Sequence, residues 1–347
     1  MSKRKRQDEV EVVADVAEND EDPPRHTWKW PPGMRQPAAT PSASARRKFI
    51  KSDPSLCLDR LDDMFQTYYD QEEQFTPKHG YMENQKEINN KMRAILVDWL
   101  VEVHHKFKLH TATLWLGVNI MDRYLEAEPV QRQDLQLVGV TALLIACKYE
   151  EIYPPEVKEC VYITDYAYKR EQVLSMETAI LTRLNFEICV PTGYHFLSRY
   201  FDVINASERT RYLANFYAER NIQEYDMLKF KPHVYAASAL FLALKQQAQH
   251  ALPSHAFSFS LSGGSGGIAG GDVGDHNVGD ADAAHWPMAL QEESGLTVAA
   301  LLACAKILIK HVKEEPETAS KRRLNAVRKK YTSEAFYFVS SLPLPSV

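Results

Sequence analysis

The chain has 347 residues, of which 45% are hydrophobic and 25% charged, with a formal net charge of −5. That length fits about two domains, and the composition excludes a fibrous chain or one disordered throughout. The weak net charge argues against nucleic acid or a membrane surface as partner of the whole molecule. Five cysteines form no Cys-x-x-Cys pair, so neither a disulfide framework nor a cysteine-based zinc site is expected.

Residues 1–52 read as a disordered tail. A basic run, Lys3, Arg4, Lys5 and Arg6, opens it, and an acidic stretch from Asp8 to Asp22 follows. The basic run has the form of a nuclear-import patch, so a protein shared between nucleus and cytoplasm is expected. No apolar run follows it, which argues against a secretory signal. The acidic and Pro-rich remainder has too little apolar surface to offset chain entropy.

Helical periodicity begins after Asp53-Pro54, a cap followed by a first-turn proline. Leu58, Leu61, Phe65 and Tyr68 share one face over 55–70. Met92, Ile95, Leu96, Trp99, Leu100 and Val103 mark the next helix, and Leu114, Val118, Met121 and Leu125 a third. Segment 135–147 is apolar nearly all round, the pattern of a helix enclosed by others. Its Gly139, Ala142 and Ala146 permit close neighbours. Pro154-Pro155 stops it, and a helix over about 168–184 closes the block. A second helical block follows Pro191, over about 192–203, 208–225, 231–249, 297–312 and 320–330. An insert at about 250–285 interrupts it, with eight of the 14 glycines between Gly263 and Gly279. No strand precedes these glycines, so a flexible surface loop is expected rather than a phosphate cradle.

Four charges break the pattern of their own helices. Arg93 shares a face with Leu96, Val97 and Leu100, Asp122 falls on the Leu114–Leu125 stripe, and Glu177 is in phase with Val173 and Ile180. Lys148 is the first charge on the enclosed helix. A buried charge is costly unless paired. The four sum to zero, which points to one neutral cluster and a shared site.

MRAILVDWLVEV (92–103), DRYL (122–125), LQLVG (135–139), CKYEEIYPPEV (147–157) and YITDYAY (162–168) closely resemble the cyclin box of mitotic cyclins. YDMLKF (225–230), HVYAASALFLALK (233–245) and the ending SSLPLP look more like B-type than A-type cyclins. The resemblance implies an all-α protein of two tandem five-helix cyclin folds with an extra N-terminal helix. The first fold, with its leading helix, would take 53–190 and the second 191–340. It further implies a regulatory subunit that activates a cyclin-dependent Ser/Thr kinase at the G2/M transition and in mitosis, with no catalysis on this chain, no cofactor and no metal. Lys148 and Glu177 match the family's kinase-contacting pair, and Arg93 and Asp122 the pair that supports it. Ile145, Tyr149, Glu150, Glu151, Phe186 and Ile188 would complete the kinase contact. Activation would be positional: the cyclin pushes the kinase's C-helix inward so that the kinase's own Lys–Glu pair forms. A substrate-docking patch maps onto Met92, Ile95, Leu96, Trp99 and Leu135, rimmed by Glu102, Arg132 and Gln136. Its partners would be substrates or inhibitors carrying short basic-hydrophobic peptides.

The alternatives are an A-type-like S-phase cyclin and a cyclin-fold transcription factor that binds nucleic acid. The second wants a basic surface, and only 321–330 (KRRLNAVRKK) is strongly basic. An enzyme is disfavoured by the lack of a Gly-rich phosphate loop joined to a strand and of His-Arg-Asp or Asp-Phe-Gly motifs.

Overall fold

The computed structural model describes residues 60–251, 285–314 and 324–346. Among the described residues every regular element is helical. The basic run at 3–6, the rest of the tail, the Asp53-Pro54 cap and nearly all of the Gly-rich insert lie outside them.

The first half contains α1 (Leu61–Phe75), α2 (Asn90–Phe107), α3 (Thr111–Ala127), α4 (Leu135–Glu150), α5 (Val157–Ile163) and α6 (Arg170–Arg183). Asn89 starts α2 by accepting the Met92 N–H at 3.1 Å, and Lys108 ends it in the left-handed region, as helix caps commonly do. α4 is the axis. Every residue from Leu137 to Cys147 is buried, and α2, α3, α5 and α6 surround it. The approach of α2 requires Gly139, because a Cβ there would lie 2.8 Å from Leu96 Cδ1.

The fifth helix of this fold, α5, is not among the helices expected from periodicity. It has only two turns and follows Pro154-Pro155, and a 3.6-residue period does not show over so short a span. Its start is a capping box in which Glu156 N–H donates to Glu159 Oε2 at 2.6 Å.

The second half repeats the plan with α7 (Gly193–Val203), α8 (Glu208–Ile222), α9 (Pro232–Ala251), α10 (Met288–Ser294) and α11 (Val298–Glu314), followed by α12 (Ala326–Tyr331). Here α9 is the axis, with Ala239 through Ala243 fully buried and α7, α8 and α11 around it. α10 was also not expected, and for the same reason: it is seven residues long. The described part of the helix expected over 320–330 is α12, which packs on α8 and on α2. Glu219 of α8 holds it there by accepting from Lys330 Nζ at 2.7 and 2.9 Å and from the Tyr331 hydroxyl at 2.8 Å.

The two folds are bolted together by specific contacts. The Trp115 ring of α3 packs 5.6 Å from that of Tyr235 and lies so close to Gly193 that a Cβ there would sit 2.5 Å from Cζ3. The leading helix α1 joins both folds. Its buried Glu72 accepts from the His233 N–H at 3.2 Å, and its last residue, Phe75, gives a carbonyl to Asn119 Nδ2 at 2.9 Å.

Candidate functional site

The four misfit charges form two separate pairs instead of the single cluster expected. In the first, Arg93 grips Asp122 with two parallel hydrogen bonds, Nε to Oδ1 and Nη2 to Oδ2, both 2.6 Å. Its third nitrogen donates to the Ile222 and Gln223 carbonyls at the end of α8, at 3.2 and 3.1 Å. The Tyr81 hydroxyl donates to Asp122 Oδ1 at 2.8 Å. Both side chains are only 2% exposed. Burial opposes the charge on Arg93, but the adjoining carboxylate outweighs it and holds the guanidinium above its ordinary value. The pair was expected to back Lys148 and Glu177. Its bonds run instead to the second fold, so it joins the folds to each other.

The second pair is on the surface. Lys148 Nζ lies 2.5 Å from Glu177 Oε1, with the side chains 45% and 13% exposed. α4 ends just beyond Lys148, and Glu177 faces it from the middle of α6. Large apolar side chains flank this pair along the chain: Tyr149, Tyr153 and Phe186 are more than half exposed, and Ile152 is 87% exposed. A hydrogen bond with the Cys189 thiol, aided by partial burial, pushes the Tyr149 phenol up to about 12. Phe186 and its neighbour Asn185 both take left-handed backbone, φ 59° and 51°, at a cost of roughly 1–2 kcal/mol per residue. The turn they make closes α6, with Phe186 N–H donating to the Leu181 carbonyl at 2.9 Å.

Three expected contact residues have other duties. Ile145 and Ile188 are 4% and 7% exposed and belong to the hydrophobic core, so they support the surface from below. Glu151 accepts from the His110 N–H at 2.7 Å and from Thr113 Oγ1 at 2.5 Å, which fixes the start of α3. Glu150 is half-buried, and burial raises its pKa.

The expected docking patch forms one stripe of α2. Met92, Ile95 and Trp99 are half-buried along it, as is Gln136 of α4. Leu96 and Leu135 lie buried beneath, and Glu102 and Arg132 are exposed at the edge. Asp98 sits beside Trp99 on α2 and was not singled out from the sequence. It accepts from Gln223 Nε2 at 2.7 Å and from the Ala326 N–H at 3.1 Å. Burial pushes its carboxyl up to about 6 against these bonds, with a further push from Glu102. Both donors come from the distant second half of the chain, so no local pattern marks Asp98.

Among the described residues no group of three His, Cys, Asp or Glu side chains converges as a metal cage. A cavity of about 100 Å³ beside Arg93 and Asp122 is lined by Trp115, Asn119, Thr192 and Tyr235. It is smaller than the few hundred Å³ of a drug-sized ligand site.

Comparison with known proteins accounts for both halves. The family model "Cyclin, N-terminal domain" matches residues 63–189, and "Cyclin, C-terminal domain" matches 191–260 and 276–345. The unmatched 261–275 falls within the Gly-rich insert. The chain is 47% identical over 195 residues to the G2/mitotic-specific cyclin-B of Spisula solidissima, covering 56% of this chain and 45% of that one. It is 47% identical over 193 residues to Cyclin-B1-2 of Arabidopsis thaliana, covering 56% and 43%. It is 34% identical over 288 residues to Cyclin-B1-1 of Arabidopsis thaliana, covering 82% and 59%. The chain thus spans about half the length of the curated relatives it matches. Among solved structures, a viral cyclin from herpesvirus saimiri has the same fold, with a TM-score of 0.57 at 17% identity, covering 72% of this chain and 96% of that one.

Replacing one partner of a fully buried pair strands the other, at a cost of about 3–5 kcal/mol. Arg93→Ala is therefore expected to lower the unfolding free energy by about that amount in urea titration. Replacing both residues with apolar ones of similar volume, Arg93→Met with Asp122→Leu, should cost distinctly less. Equal losses would mean that the pair's bonds to the α8 carbonyls matter more than its charge balance.

Proposed function

The chain belongs to the cyclin family, and we propose that it serves there as the activating regulatory subunit of a cyclin-dependent Ser/Thr kinase at the G2/M transition and in mitosis. The observation that carries this reading is the exposed surface around the Lys148–Glu177 pair. Ile152 and Tyr153, which follow Lys148 in the chain, and Phe186, in the turn that closes α6, present large apolar side chains to water, and exposed apolar area of this kind marks interaction sites. The left-handed turn at Asn185 and Phe186 caps α6 and leaves the Phe186 ring 69% exposed. Exposed apolar area adds nothing to the stability of the isolated chain, so it is accounted for by a partner that covers it. Lys148 and Glu177 satisfy each other in the free protein. At the interface each is free to turn to the main chain of the kinase, and Tyr149 and Phe186 supply the apolar contact beside them.

The partner is a kinase catalytic subunit whose C-helix is held inward by this contact. The α2 stripe of Met92, Ile95 and Trp99, with Glu102 at its edge, is the docking patch for substrates or inhibitors with basic-hydrophobic peptides. The names of the B-type relatives favour mitotic timing over the S-phase alternative. The basic run Lys3–Arg6 supports a distribution between nucleus and cytoplasm.

Lys148→Ala with Glu177→Ala should weaken binding to the catalytic subunit by on the order of 100-fold, the effect of losing an interface hot spot. Circular dichroism should show an unchanged helical fold, and intact binding by this double variant would remove the pair from the interface. Met92→Ala with Trp99→Ala should leave kinase activity on a short peptide unchanged while raising KM for substrates that carry a distal docking segment. Equal losses on both substrates would instead indicate a damaged α2. A fluorescent fusion with Lys3–Arg6 replaced by alanine should lose its nuclear fraction, and an unchanged distribution would rule that run out as the import signal.

A further inference from the structure

The basic segment 321–330 has six cationic residues, and the fold uses some of them. Lys330 is buried on Glu219, and Arg328 donates to the Ser340 and Val312 carbonyls at 3.2 and 3.4 Å. Lys321, Arg322 and Arg323 lie outside the described residues, but the chain on their C-terminal side is fixed. The Ala326 N–H is bonded to Asp98 of α2 at 3.1 Å. Arg322 precedes that anchor by four residues, a reach of at most ~14 Å. Glu102 lies one helical turn beyond Asp98, ~6 Å along α2. It is exposed, and no cation pairs with it among the described residues. Glu102 and Asp98 repel each other, so a cation between them lowers the energy of both. Half-exposed Ile95 and Trp99 adjoin them.

We propose that Lys321, Arg322 and Arg323 dock on the acidic edge of the α2 patch at Glu102, so that this chain's own segment competes with the peptides the patch receives. The proposal rests on the reading of the α2 stripe as a docking patch. Charge complementarity and the short tether carry it. A tether of this length gives an effective concentration in the millimolar range, enough to compete with a weakly binding peptide. The chain has a second basic-apolar segment, Arg46-Arg47-Lys48-Phe49-Ile50. That segment ends at Ile50 and the described chain begins only at 60, so its tether is longer than the four residues between Arg322 and the bond of Ala326 to Asp98.

The test uses the full chain and a fluorescein-labelled peptide copying residues 319–324, followed by fluorescence anisotropy at physiological salt. The variant with Lys321, Arg322 and Arg323 all changed to alanine should bind the peptide at least about tenfold more tightly than the unaltered chain. Adding Glu102→Lys to that variant should abolish binding, with a thermal melt confirming that each variant is folded. If the unaltered chain and the triple variant bind equally and Glu102→Lys still abolishes binding, the patch is real and self-docking is wrong. If alanine at Arg46, Arg47 and Lys48 gives the tightening instead, the occupant is the N-terminal segment and the proposal fails. If no protein binds the peptide, or binding ignores Glu102→Lys, the patch reading fails and the proposal falls with it.

Discussion

A guanidinium carried into a protein core must find a partner for its charge and for each of its nitrogens, because an uncompensated buried charge is worth several kcal/mol against the fold. Arg93 meets this demand with one carboxylate and two main-chain carbonyls. The carboxylate comes from α3 of its own fold, and the carbonyls come from the end of α8 in the other. The geometry of a bidentate arginine is rigid, so these bonds set the rotation of α2 relative to both neighbours. Once that rotation is fixed, Leu96 turns inward over Gly139. Met92, Ile95 and Trp99 are left half in water, with Glu102 beside them. The half-exposed stripe on α2 is therefore a geometric consequence of how the two folds are joined.

The second ion pair shows the opposite use of charge. Lys148 and Glu177 are close enough to neutralise each other, but Lys148 is nearly half exposed. An exposed pair contributes only about 0–1 kcal/mol to stability. It is a weak reason for a charge to interrupt the apolar face of α4 or to sit in phase with Val173 and Ile180 of α6, and the exposed side chains of Ile152 and Phe186 add nothing to stability either. A surface that departs from what folding favours in several ways at once is best explained by what binds it.

The long helices were legible because each shows four or more apolar residues in phase, and α4 was legible as the axis because it lacks a polar face. α5 and α10 were not, since two turns cannot display a period and their boundaries depend on a capping box and on a left-handed Gly295 (φ 68°). The four misfit charges were visible as misfits, but their partners were not. Arg93 chooses carbonyls 129 and 130 residues away, and only the tertiary fold brings them near. Ile145 and Ile188 enter the expected kinase contact by resemblance to the family's positions, and a resemblance of position carries no information on burial; here they are 4% and 7% exposed. The role of Glu151 was similarly hidden, because its donors, the His110 N–H and the Thr113 hydroxyl, lie 41 and 38 residues earlier at the start of α3.

The role of activating subunit is tested most directly by reconstitution. The purified chain is titrated into a cyclin-dependent kinase catalytic subunit that is inactive alone, and phosphate transfer to a histone-derived peptide is followed. An activating subunit raises the rate from baseline to a plateau at one chain per kinase. A folded chain that leaves the rate at baseline at every concentration, with each mitotic and S-phase catalytic subunit supplied, would contradict it.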